Sequence, residues 1–369
     1  MIDIAGAVTS DAIDDKTRDQ PEPAHRAAGV GPVAAHYGDP MREQRLLATG
    51  VGLVDRSHRG VVAVPGEERI SWLHTLTSQH LAALAPWQGT ELLVLSPHGH
   101  VEQHAMVADD GETTWLDTEP GMTEGLLSYL EKMRFFSRVD PRDATAEHAL
   151  LSLVGPEASG ALDTLGVTGL AGPDVVAVPG PKFRSGELPA RPSVVYDVKP
   201  LPAGGWARRV ALGVDLLVPR AAMDEVVAEL RGAGVPVAGL WAYEAMRVAA
   251  KRARAGLDTD HRTIPAEVDL IAPAVHLDKG CYRGQETVAR VHNLGKPPRR
   301  LVLLHLDGVA SDQPPVAGTP VTLDGRTVGF VGTAVQHFEL GQVALAVLKR
   351  NTPDDARLLV GESAAAIDA

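Results

Sequence analysis

The segment Lys279-Gly-Cys-Tyr-Arg-Gly-Gln-Glu286 concentrates reactive side chains more than any other stretch of the chain. Cys281 is the only cysteine. It cannot form an intramolecular disulfide, and alone it cannot build a multi-cysteine zinc or iron–sulfur site. Gly280 and Gly284 flank it, and glycine allows positive φ and a close approach of backbone to a ligand. Lys279 and Arg283 bracket the thiol, with Arg290 and His292 about two helical turns further on. The spacing predicts a helix over Gln285–Leu294: Gly284 opens it, Glu286 lies in its first turn and Gly295 closes it. Cys281 then sits just ahead of a positive helix end. Cations and a helix N-terminus both stabilise a thiolate, so one reading is a reactive thiol. The other is a small buried hydrophobe in a turn.

Two further groupings could carry chemistry. In His98-Gly-His100-Val-Glu102-Gln-His104, positions 98, 100, 102 and 104 share one face of a regular strand. Such a face could ligate a metal. Consecutive ligands on one strand rarely converge, however, so an exposed polar face is expected and no metal site is assigned. The loop Asp258-Thr-Asp260-His-Arg-Thr-Ile-Pro-Ala-Glu267 mixes acids and hydroxyls that suit polar ligand contacts or helix capping.

Charge narrows the function classes. Lys plus Arg is 35 against 47 Asp plus Glu, a net −12, which disfavours nucleic-acid binding. Within that acidic chain, Arg247, Lys251, Arg252 and Arg254 form one basic concentration. Lys279, Arg283, Arg290, Lys296, Arg299 and Arg300 form a second. Either suits a small anion or a solvated surface. No Gly-x-Ser-x-Gly elbow, P-loop, His-Glu-x-x-His or dinucleotide fingerprint is present. Neither a secretory leader nor a membrane span of ~18 apolar residues is expected. With a single cysteine, a reducing cytoplasm is the expected location.

The elements that must position these residues read as α+β. The 369 residues suffice for roughly two or three domains. Residues 1–28 read as a flexible tail and 29–145 as an N-terminal α+β domain. Residues 146–298 read as a second α+β domain carrying the cysteine motif, and 299–369 as a small β-barrel. Val51–Val64 is expected to form two short strands around a polar turn. Gly66–Leu84, Met122–Phe135, Ala221–Arg231 and Trp241–Arg254 are expected as helices. Leu92–Leu95 and Val101–Val107 form a hairpin in this reading, and Val210–Val218 a single strand. Pro179–Pro192 reads as a loop.

The motif Lys279–Glu286, continued by Thr287-Val-Ala-Arg290, resembles the Lys-Gly-Cys-aromatic-x-Gly-Gln-Glu signature of the YgfZ family of folate-binding proteins. That family lies within the GcvT-like aminomethyltransferase superfamily. Asp55-Arg-Ser-His-Arg-Gly60, the Trp72-Leu73-His-Thr-Leu76 stretch, Pro97-His-Gly99 and the region Trp241–Glu267 are similar to the superfamily at large. The resemblance implies an α+β three-domain ring with a central cofactor pocket and a C-terminal barrel. It implies a role in assembly or repair of iron–sulfur clusters, with Cys281 as the residue on which that role depends. It further implies tetrahydrofolate or a derivative as cofactor. The contacts would come from Lys279, Gly280, Tyr282, Arg283, Gly284, Gln285, Glu286 and Arg290, with Arg247 and Gln103. The implied partners are a folate-like small molecule and iron–sulfur client or assembly proteins.

Two departures qualify what the resemblance implies. Gln103 aligns with the catalytic Asp of aminomethyltransferases and cannot act as a carboxylate, so that reaction is not expected. The superfamily's Arg-x-Glu-Ala-Gly stretch, whose Glu holds the pterin, reads Arg247-Val-Ala249-Ala-Lys251. The alternative is therefore a flavin- or deazaflavin-like cofactor in the same pocket. A tetrahydrofolate-dependent aminomethyltransferase ranks behind both.

Overall fold

The computed structural model describes residues 32–178, 191–309 and 313–368, with residues 2, 4, 6–9, 182–183 and 186–187. Most of the stretch read as a flexible tail, and part of the Pro179–Pro192 loop, lie outside these residues.

Helix α1 (Pro40–Thr49) starts where Asp39 accepts hydrogen bonds from the Met41 and Arg42 amides and Pro40 fills the first helical position. Strands β1 (Gly52–Asp55) and β2 (Gly60–Pro65) flank the polar turn as expected. They do not pair with each other: β1 pairs with His148–Val154 and β2 with Thr113–Thr118. Helix α2 (Arg69–Leu76) is shorter than its apolar spacing predicts. Ser78 and Gln79 leave the helix because their side chains bond elsewhere. Ser78 donates to the Ala274 carbonyl and accepts from the Leu93 amide, while Gln79 donates to the Pro273 carbonyl. The hairpin of β3 (Gln88–Leu95) and β4 (Val101–Asp109) follows, then β5 (Thr113–Thr118) and α3 (Thr123–Lys132).

After β6 (His148–Val154) come β7 (Arg191–Pro200), β8 (Trp206–Val210) and β9 (Gly213–Pro219). The run read as a single strand over Val210–Val218 is thus a tight hairpin. Gly213, at φ +153°, permits it: a Cβ there would lie 2.0 Å from the Leu153 carbonyl oxygen. Helices α4 (Met223–Gly232), α5 (Leu240–Ala249) and α6 (Gln285–Leu294) complete the helical set used here. Helix α6 has the predicted bounds. Helix α5 stops earlier than propensity predicts, because Lys251 turns left-handed (φ 53°) and sends Arg252 and Arg254 to acidic partners.

One twelve-stranded sheet runs in the order Val237–Ala238, β1, β6, β9, β8, β7, β3, β4, β5, β2, Arg142–Asp143, with Asp174–Val178 paired to β7. Its strands come from both α+β segments. The two halves join where Tyr196 stands opposite Gly89 and Asp197 opposite Gln88. One apolar core lies under α4 (Leu151, Leu216, Val226) and another under α2 and α3 (Leu73, Val107, Leu126). The C-terminal barrel is closed. Its six strands are β10 (Arg299–Leu306), β11 (Pro320–Leu323), β12 (Arg326–His337), β13 (Gly341–Lys349), β14 (Leu358–Val360) and β15 (Ser363–Ile367). The expected α+β class and C-terminal barrel are both present. The last two strands carry little signal in the sequence, being short and, in β15, rich in alanine. Among the described residues no helix is long and apolar enough to cross a membrane.

Candidate functional site

The cysteine loop is built from the inside outwards. Tyr282 is buried in an apolar cluster with Leu93, Leu95, Val101 and Val288. The buried Lys279 Nζ lies 5.2 Å from the Tyr282 ring centre and donates to the carbonyls of His74 and Thr77 at the end of α2. Burial pushes its pKa down to about 7, while the carbonyls and the negative helix end favour the ammonium form. Gln285 Nε2 donates to the Lys279 carbonyl at 3.1 Å, closing the loop on itself. Gly284 (φ 83°) and Gly99 (φ 79°) meet face to face, joining the start of α6 to the β3–β4 turn.

The result is a fixed loop with an exposed Cys281. The cations expected around the thiol are engaged elsewhere. Lys279 turns inwards, and Arg283 pairs with Glu102 at 3.0 Å on the surface. Glu286 and Arg290 are exposed on α6, and Gly280 has no neighbour within 4 Å of where a Cβ would stand.

Arg247 and Gln103 lie apart from this loop. Arg247 is buried between Glu244 (2.7 Å) and Asp258 (2.9 Å), and it donates to Thr333 Oγ1 on β12 at 2.6 Å. It ties α5 to the barrel. Gln103 packs toward α3, where a Cβ on Gly125 would stand 2.7 Å from its Nε2.

Gln103 and His104 point to opposite faces by ordinary strand alternation, and a bulge sets which face each takes relative to His98 and His100. Val94 pairs with Gln103 but Leu95 pairs with Val101, so Glu102 is the extra residue. The alternation expected for His98, His100 and His104 is broken there. His104 turns inwards to Glu91 (2.8 Å). His98 and His100 stay beside the turn, their rings 6.1 Å apart. Among the described residues no three His, Cys, Asp or Glu side chains gather as a metal site.

The centre of the molecule holds a buried charge network that the sequence reading missed. Arg59 pairs with Asp117 (3.1 Å) and Glu119 (2.5 Å). Arg254 bridges Glu119 (2.7 Å) and Glu244 (3.2 Å). Arg208 joins Asp117 (2.7 Å) to Asp215 (3.0 Å), and Arg56 also reaches Asp215 (3.1 Å). One available signal was a lone acid or arginine inside an otherwise apolar strand, as with Asp215 in Gly-Val-Asp-Leu-Leu-Val-Pro. The His58 imidazole beside this network is held down to about 3, by burial first and then by Arg254, Arg56 and Arg59.

The cleft lined by Arg59, Glu119, Tyr243, Glu244 and Arg254 has a volume of about 20 Å³. That is room for about one water, against the several hundred Å³ of a pocket that encloses a drug-sized ligand. Both of its carboxylates are already taken by arginines. The cleft is closed by its own ion pairs in this conformation.

The network carries a pH signature. Burial alone would raise Glu91 and Glu244. The bond to His104 and the charge of Arg252 hold Glu91 at about 2, and Arg247 with Arg254 hold Glu244 at about 2. An unfolded glutamate titrates near ~4.3, so below that pH the unfolded chain takes up protons first. Stability present above about pH 4.5 is expected to fall as the pH drops toward 2. Urea midpoints measured across that range check this, and Glu91→Gln should flatten the slope.

Comparison with known proteins agrees with this architecture. Residues 36–172 match the GCVT N-terminal domain family. A putative chloroplastic transferase of Arabidopsis thaliana is 26% identical over 305 residues, 80% of this chain, and the chain spans 65% of that protein's length. The aminomethyltransferase of Nostoc sp. is 27% identical over 323 residues, covering 83% of this chain and 78% of that protein. The crystal structure of glycine cleavage system aminomethyltransferase T from Bartonella henselae superimposes with a TM-score of 0.76 at 18% identity. That match covers 98% of this chain and 92% of that one. The fold is therefore GcvT-like. The chain is similar in sequence to aminomethyltransferases over most of its length.

Proposed function

We propose that the protein is a YgfZ-type factor that supports assembly or repair of iron–sulfur clusters in client enzymes in the cytoplasm, with Cys281 as its working group. The observation that carries this reading is the placement of the chain's only thiol. It is exposed on a loop fixed by Lys279, Tyr282, Gly284 and Gln285. Those residues serve the loop's shape, and the cysteine is left facing outwards. Gln103 supports the second half of the proposal, that the protein is not an aminomethyltransferase. It offers no carboxylate and packs against α3. Tetrahydrofolate or a derivative is the cofactor proposed with this reading, and a flavin- or deazaflavin-like ligand is the alternative.

The test is complementation. Deleting the gene should lower iron–sulfur enzyme activities in the host. Wild-type protein should restore them and Cys281→Ala should not. The variant should fold normally, because removing an exposed side chain costs roughly 0.5 kcal/mol or less. Equal rescue by Cys281→Ala, at equal protein level, would sink the reading. Purified protein should form no methylene-tetrahydrofolate from an aminomethyl donor.

A further inference from the structure

We propose that His104, Glu91 and Arg252 form a binding site for a small monocarboxylate, taken up together with one proton. The site is independent of the role given to Cys281. Glu91 is fully buried on β3, and three groups converge on its carboxylate. His104 Nε2 lies 2.8 Å from Oε2, Arg252 Nη2 donates to Oε1 at 3.1 Å, and the Tyr196 hydroxyl donates to the same Oε1. Glu91 is in this way a buried anchor that already accepts from three donors.

The other two groups reach solvent. The His104 side chain is 13% exposed and that of Arg252 is 38% exposed. An ionised carboxylate only accepts hydrogen bonds, so Glu91 fixes Nε2 of His104 as the protonated nitrogen. The lone pair is then on Nδ1. This is the arrangement of a proton acceptor oriented by a buried acid.

Charge balance selects the ligand class. Glu91 and Arg252 cancel, and neutral His104 leaves the cluster uncharged. A proton on Nδ1 adds one positive charge, which one carboxylate neutralises, with Arg252 alongside as a second donor. A dianion would leave excess negative charge next to buried Glu91, which is unfavourable in a low-dielectric setting. The other groups facing the cluster do not alter this sum. Tyr196 on β7 and Tyr243 on α5 are held neutral by burial. Arg208 on β8 is committed to Asp117 and Asp215, and Glu119, just after β5, to Arg59 and Arg254. In the bound state the proton comes from solvent and sits on Nδ1, and the carboxylate oxygens accept from Nδ1–H and from the Arg252 guanidinium.

The experiment uses the full chain labelled with ¹⁵N-histidine and titrated with acetate, with inorganic phosphate as comparator. His104→Gln, which can still donate to Glu91, identifies the His104 resonances by their absence. The expected result is a saturable acetate shift of the His104 signals, with Nδ1 becoming protonated. Affinity should fall as the pH rises, because binding takes up one proton. Arg252→Met should weaken acetate binding at least tenfold while the Nε2–Glu91 signature persists. Phosphate as a dianion should bind more weakly than acetate. His104 signals that ignore acetate would overturn the proposal. So would acetate binding of unchanged affinity in Arg252→Met, or tighter binding of the phosphate dianion.

Discussion

Arg208→Met should destabilise the protein by about 3 kcal/mol, the low end of the range for breaking a buried ion pair. Arg208 has no exposed surface, stacks 4.9 Å from the Trp206 ring centre and bridges Asp117 and Asp215. Methionine fills similar space but leaves two buried carboxylates short of a cation. The loss stays at the low end because Asp117 keeps Arg59, and Asp215 keeps Arg56 and Ser152. A urea unfolding series should show a lower midpoint with an unchanged slope. Arg283→Ala supplies the contrast. It removes the exposed pair with Glu102, and the expected cost is below about 1 kcal/mol. Equal costs for the two variants would mean that the central network is far better solvated than its burial indicates.

Gly284→Ala is the second large effect, with an expected cost on the order of 2–4 kcal/mol. At φ 83° a side chain is already strained, and a Cβ would stand 2.6 Å from the Ser96 carbonyl oxygen and 2.8 Å from the Gly99 Cα. Both obstacles are backbone, so neither can rotate away. The β3–β4 turn and the start of α6 must separate, and the Cys281 loop loses its footing. Gly280→Ala, four residues earlier in the same motif, meets nothing within 4 Å and has no positive φ. It should be neutral, or stabilise by up to about 1 kcal/mol through the unfolded chain. Thermal midpoints of the two variants decide the matter. If both glycines tolerate alanine equally, the close approach at Gly284 is not a feature of the folded protein.

The pair of variants shows where local reading succeeded. Helix α6, its two glycine ends and the turn carrying Cys281 were legible because capping chemistry and helical spacing act within about a dozen residues. The barrel is legible in outline for the same reason, since its hairpin turns, such as Asp324-Gly325 between β11 and β12, are short-range features. Helix ends were less so. Residues 77–79 continue a helical pattern, yet they bond to a segment about 200 residues away, and that competition is invisible to propensity.

The α+β class, the C-terminal barrel in outline and the helix and glycines around Cys281 follow from short-range backbone and apolar-period rules. Only the tertiary structure decided which side chains meet. Arg56 and Asp215 lie 159 positions apart, and Arg252 and Glu91 lie 161 apart. A single bulge at Glu102 sent Gln103 to α3 and His104 to Glu91. A period-two strand pattern places every side chain by parity, and one extra residue reverses the parity of all that follow. Charge pairing in the core depends on that parity and on sheet register, and neither is written in any short stretch of the chain.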